Sequence, residues 1–102
     1  MALPKLTPEE KRRALAKAQE MRSRRAQLRQ DLKRGAVSLR EVLARQDDEV
    51  VKKMRVAYLL QSLPHVGKVT TARVMQEIGI DANRRVQGLG SRQREALLER
   101  FG

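Results

Sequence analysis

The sequence predicts an all-α protein, and three observations carry that expectation. Aromatic residues make up only 2% of the chain, one Tyr and one Phe in 102 residues, so the core must be built from Leu, Val, Ile, Met and Ala. That palette suits packed helices better than a sandwich, whose strands favour aromatic and β-branched residues. Apolar positions recur at three- and four-residue spacing. Helix-start signatures, Thr7-Pro8-Glu9-Glu10 and Ser38 followed by Glu41, open the segments that carry this spacing. A chain of this length makes one small domain with a modest core.

Each element follows from local chemistry. Thr7 caps the first helix, Pro8 suits its first position, and Glu10 sits where a capping-box acid reaches back. The helix runs to about Arg34, where Gly35 takes the left-handed conformation that ends it. Ala14, Ala18, Met21, Leu28 and Leu32 form one stripe, interrupted by Arg25. The stripe is Ala-rich early and Leu-rich late, so the last two or three turns should dock and the first turns project. This divides the chain into a long basic helix at residues 1–34 and a compact helical body at 35–102.

Ser38 opens a short helix to about Arg45, with Leu39, Val42 and Leu43 inward. Asp47 or Asp48 caps another, carrying Val50, Val51 and Met54, and an apolar segment follows from Val56 to Leu63. Tyr58 reads as a core or boundary residue rather than a base-stacking platform. Pro64 ends this segment, because the residue before a proline is pushed out of helical geometry. Val66, Val69, Ala72, Val74, Met75 and Ile78 then supply the apolar positions of a helix starting near Val66 or Gly67 and stopped by Gly79. Ser91 reads as the N-cap of the last helix, whose buried side is Leu97, Leu98 and Phe101.

Charge is the first functional signal. The net charge is +11, from 23 basic and 12 acidic residues, and residues 1–34 hold eleven of the basic and four of the acidic ones. Such an excess repels itself in a compact fold and attracts polyanions, which makes nucleic acid the expected partner. The lack of bulky apolar residues on the basic helix disfavours a membrane surface, and no run approaches the length of a membrane span. With no apolar leader-like segment either, the expectation is a soluble cytoplasmic protein, monomeric in solution. The absence of cysteine excludes disulfides, thiolate metal sites and cysteine nucleophiles. His65 is the only histidine, which excludes a histidine metal cluster within one chain. Asp47-Asp48-Glu49 is explained by helix capping, and no phosphate-loop or dinucleotide fingerprint occurs. No enzyme, metal site or cofactor is expected.

The stretch "LPHVGKVTTARVM" at 63–75 carries the sharper signal. Gly67 falls in the first turn of a helix, where up to four backbone N–H groups lack internal partners. Glycine there has two explanations: close packing against the preceding helix, or close approach of a ligand's oxygen atoms, favoured by the helix dipole and Lys68. Downstream lie Asn83-Arg84-Arg85, then Gly88-Leu89-Gly90, then Ser91 with Arg92 and Arg94 behind it. Cations at a helix N-terminus oppose the dipole, so Arg92 and Arg94 point either to a bound anion or to tertiary packing that overrides the local preference. Two helix starts with Gly and basic residues, separated by two arginines, favour a grip on phosphates. Pro64, His65, Val66, Gly67, Lys68, Arg84, Arg85, Gly88, Gly90, Ser91, Arg92 and Arg94 are its candidate residues. Arg22, Arg25, Arg29 and Lys33 of the first helix, with Lys52, Lys53 and Arg55, are candidates for a second, separate DNA surface.

The order "LPHVGKVTTARVMQEIGI", loop "DANRRVQGLG" and helix "SRQREALLERF" resembles the helix-two-turns-helix module. The whole chain, from "MALPKLTPEEKRRAL" to "LLERFG", resembles the actinobacterial-type integration host factor family. The resemblance implies an all-helical nucleoid-associated protein that binds duplex DNA with little sequence preference, bends or compacts it, and supports phage recombination. Residues Pro64–Lys68, Arg84 and Arg85 match the family's DNA-contacting module; some relatives place a further basic residue where Gln87 stands here. The module also occurs in a small-subunit ribosomal protein, so an RNA- or ribosome-associated role is the alternative. An adaptor whose basic helix docks an acidic protein is another. The DNA glycosylases that share the module need an amino-terminal proline nucleophile with an acid beside it, and "MALP" offers neither after removal of Met1.

Overall fold

The structure, a computed structural model, describes residues 5–102. The amino-terminal "MALP", read above for its lack of a proline nucleophile, lies outside them. The described residues form six helices: α1 (Pro8–Lys33), α2 (Leu39–Leu43), α3 (Glu49–Lys53), α4 (Val56–Gln61), α5 (Lys68–Ile78) and α6 (Ser91–Phe101). A single 3-10 turn, Val86–Gly88, precedes α6. Extended pairing among the described residues is confined to one antiparallel bridge between Arg55 and Arg85.

Side-chain caps start the first three helices. The Thr7 hydroxyl accepts from the Glu10 amide at 3.1 Å and donates to the Glu10 carboxylate. The Ser38 hydroxyl accepts from Glu41 N–H, and Asp48, not Asp47, accepts from Val50 and Val51. α1 closes with Gly35 at φ +75°, while the Gly35 and Ala36 amides bond back to Leu32 and Asp31 carbonyls. That paired return is the Schellman ending, and it requires the left-handed residue.

α1 is a helix of 26 residues, about 39 Å at about 1.5 Å per residue. Only Leu28 and Leu32 are fully buried in it, Met21 and Arg25 are half-buried, and every described residue before Met21 is exposed. The radius of gyration, 16.1 Å, exceeds the ~13 Å of a compact chain of this size because those early turns extend beyond the body. Two ion pairs strap the middle of α1 to α3: Arg24 to Asp48 at 3.3 Å and Lys17 to Glu49 at 3.4 Å. Hydrogen bonds from Lys53 and Lys17 hold the Glu49 carboxyl below the ordinary glutamate value. A lowered value means that its contribution is present at neutral pH and is lost only as acid protonates the folded form.

The core collects Leu28 and Leu32 of α1, the inner faces of α2, α3 and α4, and Val74, Met75, Ile80, Val86, Leu89 and Leu97. α2 packs on α6, α3 on the 3-10 turn, and α5 on both α4 and α6. Against the expectation for α5, Val69 is 81% exposed and Ala72 is exposed too, whereas Thr71 is 1% exposed. The reason is phase. Thr71, Val74, Met75 and Ile78 lie three and four apart on one stripe, and at about 100° per residue Val69 stands on the opposite side. The buried Thr71 hydroxyl finds no hydrogen-bond partner among the described residues. Thr71→Val keeps the shape and removes the orphan group, so it should stabilise the protein by about 1 kcal/mol in urea unfolding. Val69→Thr on the exposed side should change stability by no more than about 0.5 kcal/mol.

Candidate nucleic-acid interface

Leu63, Pro64, His65 and Val66 make the corner between α4 and α5. The Val66 amide donates to the Leu63 carbonyl at 3.3 Å, with Pro64 second in the turn and His65 third at φ +64°. Proline suits the second position, and the third asks for a left-handed residue. His65 is the one described non-glycine residue with positive φ, and both it and Pro64 are exposed.

Gly67 is the N-cap of α5, one residue outside the helix rather than within its first turn. Its φ is −101°, ordinary for any residue, and a Cβ placed on it meets nothing within 4 Å. The packing explanation for this glycine therefore falls, leaving access to the backbone. No side chain caps α5 and no acidic residue lies in its first turn, in contrast with α1, α2 and α3. Its free N–H groups and dipole face solvent beside the exposed Lys68. Lys68 also lines a depression of about 390 Å³ together with Asp81 and Ala82, so the start of α5 and the loop after it border one hollow.

α6 starts one residue earlier than its sequence indicated. Gly90 is the N-cap and Ser91 the first helical residue, because the Gln93 side chain accepts from the Gly90 amide at 2.9 Å. The same Gln93 amide group donates to the Gly79 carbonyl at 3.1 Å, tying the end of α5 to the start of α6. Arg92 is exposed, with no acidic residue in the first turn. Arg94 points the other way: it is half-buried and donates to the Leu43 carbonyl of α2 at 3.1 Å. The dipole argument for a bound anion thus holds for Arg92, while Arg94 is occupied as a strut.

Between α5 and α6 the chain makes two turns. Asp81 accepts from the Asn83 amide, and the Arg84 amide closes on the Asp81 carbonyl at 3.0 Å. Arg84 then folds over Gly88, donating to its carbonyl at 3.3 Å. A Cβ on Gly88 would stand 3.0 Å from the Arg84 side chain, so this glycine leaves the arginine its place. Next, Val56 N–H donates to Arg84 C=O and Val86 N–H to Met54 C=O, both at 2.9 Å. Arg55 and Arg85 therefore face each other as a non-hydrogen-bonded antiparallel pair, the closer of the two spacings. Like charges directly opposite are destabilising, and neither guanidinium has an acidic partner.

This bridge corrects the expectation of two separate surfaces. Arg25 of α1, Lys53 and Arg55 line one groove of about 450 Å³ together with Arg85, so the two candidate sets meet there. Lys52 lies elsewhere, bordering a smaller groove of about 200 Å³ with Arg45, Gln87 and Arg94. Arg45 was missed in the sequence, where it reads only as the end of a short helix. Arg29 is not free: it donates to the Ser62 and Tyr58 hydroxyls at 3.0 and 3.2 Å and stacks 4.3 Å from the Tyr58 ring centre. Ser62 is fully buried and in turn donates to the Tyr58 carbonyl. Arg22 and Lys33 stay exposed on α1.

Residues 32–101 match the model of the S13-like H2TH domain family. The chain is 52% identical to the integration host factor of Mycobacterium tuberculosis, over 100% of this chain and 98% of that one. It is 48% identical to the integration host factor of Streptomyces coelicolor, over 100% of this chain and 96% of its relative. Its fold matches a solved structure of sIHF bound to an 8-base-pair palindromic DNA, with a TM-score of 0.82 and 44% identity, covering 85% of this chain and 99% of the other.

The geometry separates structural from free arginines, and unfolding experiments can read the difference. Arg94→Ala should destabilise by about 1.5–3 kcal/mol, the range for a hydrogen bond from a charged group. Arg85→Ala should leave stability unchanged or raise it by a few tenths, about the size of a relieved cross-strand repulsion.

Proposed function

The chain belongs to the actinobacterial-type integration host factor family, and from that premise we propose how it grips duplex DNA. The protein is a nucleoid-associated DNA-binding protein. Its exposed N–H groups at the start of α5, with Lys68, take one stretch of phosphates, and Arg84, Arg85 and Arg92 take the next. One observation carries this: Arg55 and Arg85 are set opposite each other by backbone hydrogen bonds with no carboxylate between them. A fold that holds like charges together is stabilised when a polyanion arrives. The first helix, residues 1–34, serves as a basic arm and residues 35–102 as the gripping body. Arg22, Arg25 and Lys33 extend the contact along α1.

The described residues offer no helix that lays a row of base-reading side chains outward, and the candidate groups are backbone amides and cations. Contacts of this kind position a protein without reading sequence. The proposal is therefore weak sequence discrimination, with DNA bent or condensed because cations lie on more than one side of a small body. It extends to a chromosomal location, a monomer in solution, and support of phage recombination as an auxiliary rather than as an enzyme. The RNA-associated alternative loses ground to full-length relatives named integration host factors.

Two measurements test the interface. Affinity for a short duplex should fall steeply with salt, and Arg84→Ala with Arg85→Ala should flatten the log–log slope by about 1.8, at about 0.9 per phosphate. An unchanged slope would remove the loop from the interface. At matched salt, structured RNA should compete less well than duplex DNA of similar length.

Gly67→Ser provides a second, independent check. Serine is at least as good an N-cap as glycine, so the melting temperature should hold or rise. Its hydroxyl would occupy an amide that DNA otherwise uses, so affinity should drop about tenfold, as for loss of one charged hydrogen bond of ~1.5 kcal/mol. Affinity within twofold of the parent would take the turn out of the contact.

A further inference from the structure

The groove shared by α1 and the Arg55–Arg85 bridge has a property that a phosphate track does not need. Its rim is cationic, with Arg25, Arg55 and Arg85 free of acidic partners and Lys53 paired to Glu49 at 3.2 Å. Its floor is apolar: Met21, Val50 and Met54, with Tyr58 beside them. Val50 and Met54 are buried at 5% and 3% exposure, so they lie at the bottom and not on the lip. The volume, about 450 Å³, falls within the range of small-molecule sites.

Duplex DNA presents its phosphates on a convex ridge, and a phosphate oxygen gains nothing from a methionine floor. The combination fits a small amphipathic anion whose flat, uncharged part lies on the floor while its charges reach the rim. Methionine side chains are polarizable and adapt to ring surfaces, and guanidiniums bind phosphate oxygens in pairs. We propose that this groove is a binding site for a nucleotide of the nucleoside di- or triphosphate class, its base against the half-buried Met21 and Tyr58 above the buried Met54, and its phosphates on Arg25, Arg55 and Arg85.

A consequence follows for DNA. Arg85 belongs both to this groove and to the loop assigned to the DNA contact. A nucleotide in the groove draws that guanidinium away and competes with the duplex, so occupancy lowers DNA affinity. This second half rests on the DNA reading above; nucleotide binding itself does not.

The full chain carries its own reporters. Methyl NMR of the methionines during titration with ATP should show saturable shifts at Met21 and Met54, while Met75, buried elsewhere in the core, stays still. Tripolyphosphate should bind at least tenfold more weakly than ATP, and adenosine should not bind measurably. Arg25→Ala should weaken ATP at least tenfold with an unchanged melting temperature. Should that variant melt early, Arg25→Lys keeps the charge without the fork and should weaken ATP severalfold. Saturating ATP should then lower affinity for a short duplex in the parent protein but not in Arg25→Ala.

Equal affinity for tripolyphosphate and ATP, or ATP binding without movement of Met21 and Met54, would overturn the proposal by showing a bare cation cluster. Shifts at those methyls from a short duplex but none from ATP would also overturn it, by assigning the groove to DNA. ATP binding without any DNA binding would leave the nucleotide site standing and sink the DNA reading.

Discussion

Two backbone hydrogen bonds, from Val56 to Arg84 and from Val86 to Met54, hold the basic loop against the junction of α3 and α4. Nearly everything functional in this protein depends on that junction. It fixes residues 84–86 on the body, with Val86 driven into the core at 3% exposure and Arg85 turned outward opposite Arg55. A loop carrying adjacent arginines would otherwise swing away from other cations. Here the backbone pairing and the burial of Val86 and Leu89 outweigh that repulsion. The mutual repulsion of Arg55 and Arg85, a few tenths to about 1 kcal/mol for an opposed pair, is then relieved when an anion arrives.

The helix starts follow the same division of labour. α1, α2 and α3 begin with Thr7, Ser38 and Asp48, each hydrogen-bonded to the amides it caps, with an acidic residue in the first turn. Those starts are closed and contribute to stability, typically about 1 kcal/mol each. α5 and α6 begin with glycine, with no side-chain cap and no acid in the first turn. Of the other helices, α4 also starts without a side-chain cap, at Arg55, so the open starts are those of α4, α5 and α6. At α6 Gln93 marks the limit of that openness, since it takes the Gly90 amide and the Gly79 carbonyl to fix the spacing between the helices.

What the sequence made legible was whatever is decided within a few residues. The caps at Thr7 and Ser38, the Gly35 ending and the break at Pro64 are local steric and hydrogen-bonding events, so residue types at fixed offsets reveal them. The errors have equally physical causes. Val69 has the apolar identity of a core residue, but two residues of phase separate it from the true stripe, and the polar Thr71 takes the core position. Ser91 has the hydroxyl that favours a cap, whereas Gln93 caps backward onto Gly90. The pairing of residues 54–56 with 84–86 joins segments 30 apart, and no local pattern announces it. Nor does composition tell an arginine that meets solvent from one that spans a core edge, as Arg29 does with Tyr58 and Ser62.

That last distinction can be drawn from the acids instead. Asp31, Asp48, Glu49 and Glu77 hold Arg34, Arg24, Lys17, Lys53, Arg73 and Arg100 in ion pairs within or between helices. Exposed pairs of this sort contribute little one by one, yet they decide where the positive field is cancelled. These cancelled cations lie along the α1–α3 contact, at the end of α1, and around Glu77 on α5 and α6. Arg25, Arg55, Lys68, Arg84, Arg85 and Arg92, near the groove, the loop and the open helix starts, are among the described cations with no carboxylate partner, as are Lys11, Arg12, Arg22 and Lys33 along α1. With no carboxylate among the described residues paired to Arg55 or Arg85, the positive field at their bridge is left uncancelled. The asymmetry comes from placement rather than from amount. A chain of the same composition with Glu49 and Glu77 moved beside Arg85 would keep its net charge and lose the feature that makes this face attractive to phosphates.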